Sequence, residues 1–412
     1  MLDRRLFLKS SGLALVAGGF IPGVFVRMAR AGTPPSRRVL VAIFQRGAVD
    51  GLNVLVPHGE KTYYAARPTI AIPRPGSGSR AAAIDLDGFF GLHPSLEPLV
   101  PLFRDRSAAF IHAAGSPDAT RSHFDAQDFM ESGTPGVKST ADGFLSRALG
   151  ASRAANTSAL RAVALSAEMP RILAGSSGAI AMTSLAHFGV RGRGDAADDA
   201  RSFESMYAGA AAGPLQATAQ ESFEAVRIVR SADPSRIAPA NGADYPRGPL
   251  GQSLRQIAQL IQADVGLEIA FTDVGGWDTH AGEEGQLAAR LGDFGLAIAA
   301  FAKDLGTRMA DVTLVTMSEF GRTVKENGNR GTDHGHANCM LLLGGGVRGG
   351  KVYGRWPGLD ASHLYENRDL AVTTDFRDVF AEILSARMGV ADLSPVFPGY
   401  DCAASRRLGV IG

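Results

Sequence analysis

The chain has 412 residues, 45% of them hydrophobic and 20% charged, with a formal net charge of +1 at pH 7. Charges of both signs are mixed along it, so no basic patch or acidic tail points to nucleic acid or a charged membrane surface as a partner. A chain this long suits one large α/β domain or two smaller ones and buries roughly three quarters of its unfolded surface, so it needs no disulfide staples.

Residues 1–31 read as a targeting segment. Asp3-Arg4-Arg5-Leu6-Phe7-Leu8-Lys9 resembles a twin-arginine export signal. The apolar run that follows is broken by Gly18, Gly19, Pro22 and Gly23, which leaves it too short and interrupted for a stable membrane span. Ala29-Arg30-Ala31 then offers a small-x-small cleavage site, leaving residues 32–412 as the mature chain. The expected partner of this segment is the twin-arginine export machinery, and the expected location is periplasmic or extracytoplasmic.

Short apolar runs rich in strand formers follow at residues 39–44, 108–114, 161–166, 267–272, 312–317 and 338–343. They lack strict alternation, which suits strands buried on both faces. Helical patterns lie between them. Leu287, Leu291, Phe294, Ile298, Phe301, Leu305 and Met309 make one apolar stripe. Residues 122–130 look like a helix start, and residues 374–388 carry Phe376, Val379, Phe380, Ile383 and Leu384 on one side. Alternating strands and helices predict a three-layer αβα sandwich around a mainly parallel central sheet. Residues 175–251 differ, being rich in Ala, Gly, Asp and Arg. They read as a partly helical insertion, or a cap over the site, within a single domain spanning 32–412. Cys339 sits in an apolar run and Cys402 near the chain's end, and a bridge between them is left for the structure to decide.

In open parallel sheets, ligands bind beyond the carboxyl ends of the strands. The turns expected there hold Asp50 after the first run, Ser122 after the second, Asp278 and His280 after the fourth, and Glu319 and Arg322 after the fifth. Asp333, His334 and His336 come just before the sixth. Carboxylates and imidazoles crowded at one edge need a cation to offset their repulsion. The candidate metal ligands are Asp50, Asp278, His280, Glu319, His334 and His336. The mix suits zinc first, with magnesium, manganese or iron as alternatives. One ion or a pair fits, and a pair would clamp the attacking and leaving oxygens of a displacement. Ser122, a hydroxyl at a helix start, is the candidate nucleophile, with Thr120 as the alternative. Arg322 or Arg121 would offset charge on non-bridging oxygens. Each residue also has an ordinary reading: Asp50 in a turn, Ser122 as a helix cap, and Glu319 with Arg322 as a local ion pair.

Phe44-Gln45-Arg46-Gly47 leading to Asp50-Gly51-Leu52-Asn53, Thr120-Arg121-Ser122-His123-Phe124-Asp125-Ala126-Gln127 and Gly275-Gly276-Trp277-Asp278-Thr279-His280 resemble a large bacterial family. So do Ser318-Glu319-Phe320-Gly321-Arg322-Thr323 and Gly331-Thr332-Asp333-His334-Gly335-His336-Ala337. The family is the domain of unknown function 1501, placed in the alkaline-phosphatase-like superfamily. Ala48 stands where that family usually has glycine. The resemblance implies an alkaline-phosphatase-like fold and twin-arginine export. It implies that Asp50 binds one metal, that Asp278 and His280 bind another, and that Ser122 is the nucleophile. His334 or His336 would be the late histidine ligand, with Asp333 assisting. Glu319 stands where an Asp-His pair commonly ends its strand, and Phe320 replaces that histidine.

The expected activity is hydrolysis of phosphate or sulfate esters, small or polymer-borne. The alternative is a metal-binding or assembly protein of the same fold that turns nothing over. A metal-independent serine hydrolase is the poorest reading, because Ser122 lacks the flanking glycines of a nucleophile elbow.

Overall fold

Strand β1 (Val39–Gln45) is buried along its whole length. Val39, Val41 and Ile43 enter one hydrophobic core, while Leu40, Ala42 and Phe44 enter another. Successive side chains of a strand point to opposite faces, so an unbroken apolar run is what a strand with helices on both sides requires. The computed structural model describes residues 38–152, 156–175, 178–186, 188 and 214–412, without the side chains of 214–220. The expected leader and cleavage motif lie outside the described residues, as do residues 189–213 of the expected insertion.

The other strands are β2 (Leu55–Val56), β3 (Ile84–Asp85), β4 (Gly91–Leu92), β5 (Ala108–Gly115), β6 (Ala162–Leu165), β7 (Ile180–Met182), β8 (Ile269–Val274), β9 (Val312–Met317), β10 (Asn338–Gly344), β11 (Val352–Tyr353) and β12 (Thr374–Asp375). The main sheet runs β11-β5-β10-β9-β1-β8-β6-β7, with β12 also paired to β5. Strands β2, β4 and β3 form a small separate sheet. The helices that matter here are α1 (His123–Ser132), α2 (Phe144–Ala151), α3 (Pro214–Ala232), α4 (Pro249–Gln262), α5 (Glu283–Leu305) and α6 (Phe376–Arg387). The apolar stripes of α4 and α5 build one core, and those of α2 and α6 the other. The structure is thus mixed α/β around a mostly parallel central sheet.

One strand breaks the parallel pattern. β10 is antiparallel to both β5 and β9, while β1 is parallel to β8 and β9. The residues that precede β10 therefore lie at the same edge as the residues that follow β1, β5, β8 and β9. Had β10 been parallel, the histidines before it would have been placed at the far edge.

The expectation for residues 175–251 needs correction. β7 lies inside that range and pairs in parallel with β6 at the edge of the main sheet. Ala225 and Val229 of α3, and Leu250 of α4, enter one of the sheet's two cores. The run supplies an edge strand and core packing rather than an insertion set apart from the sheet. Ile180-Ala181-Met182 is too short for its pattern to stand out among so many Ala and Gly residues. Cys339 and Cys402 are both free. Among the described residues, no helix is long and apolar enough to cross a membrane.

Candidate metal centre

The loop after β8 is held by Trp277. Its buried indole N–H donates to the Val274 carbonyl at 2.9 Å, and the ring meets Phe294 of α5 edge-on at 5.7 Å. This fixes where Asp278 emerges. The loop after β1 passes so close that a side chain on Gly47 (φ +114°) would come within 2.9 Å of the Asp278 amide, so only glycine fits. The loop after β9 is tied to β1 by Ser318, whose hydroxyl donates to the Gln45 carbonyl at 2.6 Å. Gly321 then runs against the approach to β10; a side chain there would meet the Ala337 carbonyl at 1.8 Å. The loops after β1, β8 and β9 and the approach to β10 are thereby brought to one place.

Four side chains converge there. His123 Nε2 lies 3.1 Å from His334 Nε2, and His280 Nε2 lies 3.0 Å from that same His334 atom. Asp278 Oδ1 stands 3.0 Å from His280 Nε2 and 3.2 Å from His334 Nε2, and its Oδ2 is 3.6 Å from His123 Nε2. One ligand atom each from His123, Asp278 and His334 falls within 4.8 Å of the other two.

The far side of each ring explains the inward one. His123 Nδ1 meets Glu319 Oε1 at 2.9 Å, and His280 Nδ1 meets Asp333 Oδ1 at 3.2 Å. His334 Nδ1 meets the Arg121 carbonyl at 3.0 Å. Ionised carboxylates and carbonyls only accept hydrogen bonds, so each Nδ1 carries a proton, and each Nε2 faces inward with a lone pair wherever it is not itself protonated towards Asp278. Lone pairs at such separations repel unless a proton or a cation stands among them. With metal–nitrogen bonds of about 2.0–2.1 Å, tetrahedral ligand atoms stand about 3.3 Å apart. The separations among His123, Asp278 and His334, and of His280 from the latter two, bracket that value, so the chemistry of His123, Asp278 and His334 suits a metal ion, with His280 beside them.

Charge at the site is tuned in opposing directions. The hydrogen bond that His123 donates to Glu319 raises the pKa of His123 against the effect of burial. Burial lowers that of His334, and its bonds to Arg121 and Asp278 only partly restore it. Burial would raise Asp278, but the Arg322 guanidinium beside it holds the carboxyl below its ordinary range. Burial likewise opposes ionisation of Glu319, yet hydrogen bonds from His123, Gln127 and the Gly47 amide prevail and lower its pKa.

Of the ligands expected from sequence, Asp278, His280 and His334 are brought together, with Asp333 beside His280. The structure gives the other expected residues different partners. Glu319 contacts the outer nitrogen of His123 rather than the centre. His336 lies instead against Tyr365, with ring centroids 4.2 Å apart. Asp50 is at the same sheet edge but pairs with Arg67. Arg322 is buried, and it donates to the carbonyls of Ala48, Thr332, Gly47 and Trp277 as well as to Asp278. Ser122 is the N-cap of α1, its hydroxyl accepting from the Asp125 amide. The side chain that turns to the cluster is its neighbour, His123, which sequence reasoning passed over. Its position in the Thr120–Gln127 motif, one residue inside a helix start, was the available signal.

A family model described as "Protein of unknown function (DUF1501)" matches residues 37–396. Among curated proteins, none matches the chain.

Proposed function

The chain belongs to the DUF1501 family, and from that premise and the geometry of its histidine–aspartate cluster we propose that it is a metal-dependent hydrolase of phosphate or sulfate esters. His123, Asp278, His280 and His334 would hold a divalent ion, zinc the best match to three imidazoles and one carboxylate. The ion would supply Lewis acidity towards an ester oxygen. The observation that carries this reading is the inward turn of three Nε2 atoms onto Asp278, each ring fixed by an acceptor on Nδ1. Such outer carboxylate and carbonyl partners are the usual support of metal-bound histidines. The proposal extends to an alkaline-phosphatase-like arrangement of the fold, which a site at the carboxyl edge of a mostly parallel sheet supports. It also includes twin-arginine export, supported by Arg4, Arg5 and the Ala29-Arg30-Ala31 motif.

A second reading, a metal-binding protein without turnover, is favoured by one observation. The two polar groups expected to act on substrate are otherwise engaged: Arg322 on backbone carbonyls and Ser122 as a helix cap. Elemental analysis of purified protein, followed by a panel of phosphate and sulfate esters, separates the two. Bound metal with ester cleavage supports the hydrolase. Bound metal without any cleavage supports the binding protein, and absence of metal affinity defeats both.

A further inference from the structure

Behind the cluster lies a buried charged network that metal binding leaves unexplained. Asp50 and Arg67 are both 0% exposed. The guanidinium grips the carboxylate with both terminal nitrogens, NH2 reaching Oδ1 at 3.0 Å and NH1 reaching Oδ2. Its remaining donors go to Asn53 Oδ1 at 2.8 Å, the Val324 carbonyl at 2.9 Å and the Thr323 carbonyl at 2.8 Å. Arginine has five N–H groups, and all five are used here. The contact is therefore a fitted socket. A lysine, with a compact ammonium and three rotatable donors, could not fill it in the same way.

Asp50 is equally committed. Its Oδ1 also accepts from the Leu52 amide at 3.3 Å, and the Glu283 carboxyl is its electrostatic neighbour. Glu283 in turn accepts from Asn53 Nδ2 at 3.0 Å, Thr279 Oγ1 at 3.0 Å and Thr332 Oγ1 at 2.7 Å. Thr279 lies between Asp278 and His280 in the chain, and Thr332 directly precedes Asp333. The network thus holds two of the loops that carry the cluster, and both Asp50 oxygens are taken by Arg67 in a fully buried setting.

We propose that the centre takes one metal ion per chain, because the Arg67 guanidinium already satisfies the carboxylate, Asp50, that a second ion would need. This rests on the metal reading above and sharpens it. The paired-ion arrangement expected from sequence does not fit these residues. A resident organic cation does the work of neutralising Asp50, and Arg67 is a positioning residue, since it is closed off from substrate.

Stoichiometry tests this directly. Metal-free protein is loaded with Zn²⁺, dialysed, and read by elemental analysis and native mass spectrometry. One equivalent per chain is expected. Two equivalents overturn the inference while leaving the metal reading intact; none overturns both. A second readout uses Asp50→Asn, in which Glu283 can ionise to pair with Arg67. Folded Asp50→Asn should keep its single equivalent, whereas His334→Ala should lose it. Loss of the equivalent from folded Asp50→Asn would make Asp50 a ligand and defeat the proposal. The wild-type stoichiometry stands as a test whether or not that variant folds.

Discussion

His123 Nδ1 and Glu319 Oε1 meet at 2.9 Å, and this contact sets which nitrogen of His123 faces the cluster. Glu319 is buried at the end of β9, where it also receives the Gly47 amide and Gln127 Nε2, each at 2.8 Å. Three donors on one oxygen hold the carboxylate ionised and still, and it in turn holds the imidazole. Glu319→Gln would replace the charged acceptor by a neutral amide and would weaken the Nδ1 bond. The expected outcome is a fall in zinc affinity of about 10–100-fold, measured by competition with a chromophoric chelator. His123→Ala should fall further. An unchanged affinity in Glu319→Gln would remove the orienting role assigned to this residue.

Arg322 invites a different expectation. It joins the loops after β1, β8 and β9 by donating to carbonyls in two of them and in the approach to β10. Arg322→Met should leave those buried carbonyls without their donor and Asp278 without its guanidinium, at a cost of about 3 kcal/mol. Urea unfolding measures this. A variant of normal stability that fails only in ester cleavage would return Arg322 to the substrate-binding role expected from sequence.

The strands of the central sheet were legible because burial on both faces leaves continuous apolar runs: β1, β5, β8, β9 and β10 begin or end within two residues of the runs read from sequence. The direction of β10 was not legible, because periodicity carries no sign; only the packing of the chain decides it. At the site, Asp278, His280 and His334 stood out by clustering with glycines. His123 did not, since its neighbour Ser122 supplied a familiar reason for a helix to start there. Arg67 was invisible for another reason. It lies at the end of a short helix, Lys61–Ala66, well away in sequence from every motif, and only folding brings its fork to Asp50. Ala48 is the converse case. It takes φ +57°, the left-handed region where the family's usual glycine would sit without strain.

The pairing of Asp50 with Glu283 predicts how stability depends on pH. Burial, and then the adjacent Asp50 charge, push the Glu283 carboxyl up to about 8 from an ordinary 4.5. Between those values the folded chain holds a proton that the unfolded chain has released. Stability from this group is complete below the lower value and is lost as pH rises through the upper one. Asp50 behaves oppositely: burial opposes its charge, Arg67 outweighs burial, and its contribution is lost as pH falls. Glu283→Gln keeps a donor towards Asp50 but cannot ionise. Its urea midpoint should vary less than that of the wild type between about pH 5 and pH 8, and should exceed it at the alkaline end. Parallel curves for the two proteins would show that Glu283 does not hold the proton.

Ser122 carries the sharpest choice between structure and chemistry. As the N-cap of α1 it accepts from the Asp125 amide at 3.5 Å, a long bond, while Thr120 Oγ1 accepts from its own amide at 3.2 Å. A cap of this kind is worth about 1 kcal/mol, and the long contact places it towards the low end of the range. The residue is exposed, so its hydroxyl remains open to solvent even while capping. Capping alone predicts that Ser122→Ala loses up to about 1 kcal/mol in urea unfolding, keeps its metal, and cleaves any ester the wild type cleaves at nearly the same rate. Nucleophilic attack by the hydroxyl predicts the reverse, with metal content kept and turnover abolished. Ser122→Asp keeps an oxygen that can cap and adds a favourable charge at the helix start, but supplies no hydroxyl. Recovery of stability together with loss of turnover in Ser122→Asp would assign the chemistry to the hydroxyl; recovery of both would leave Ser122 a cap and move the search for the attacking group to the metal centre itself.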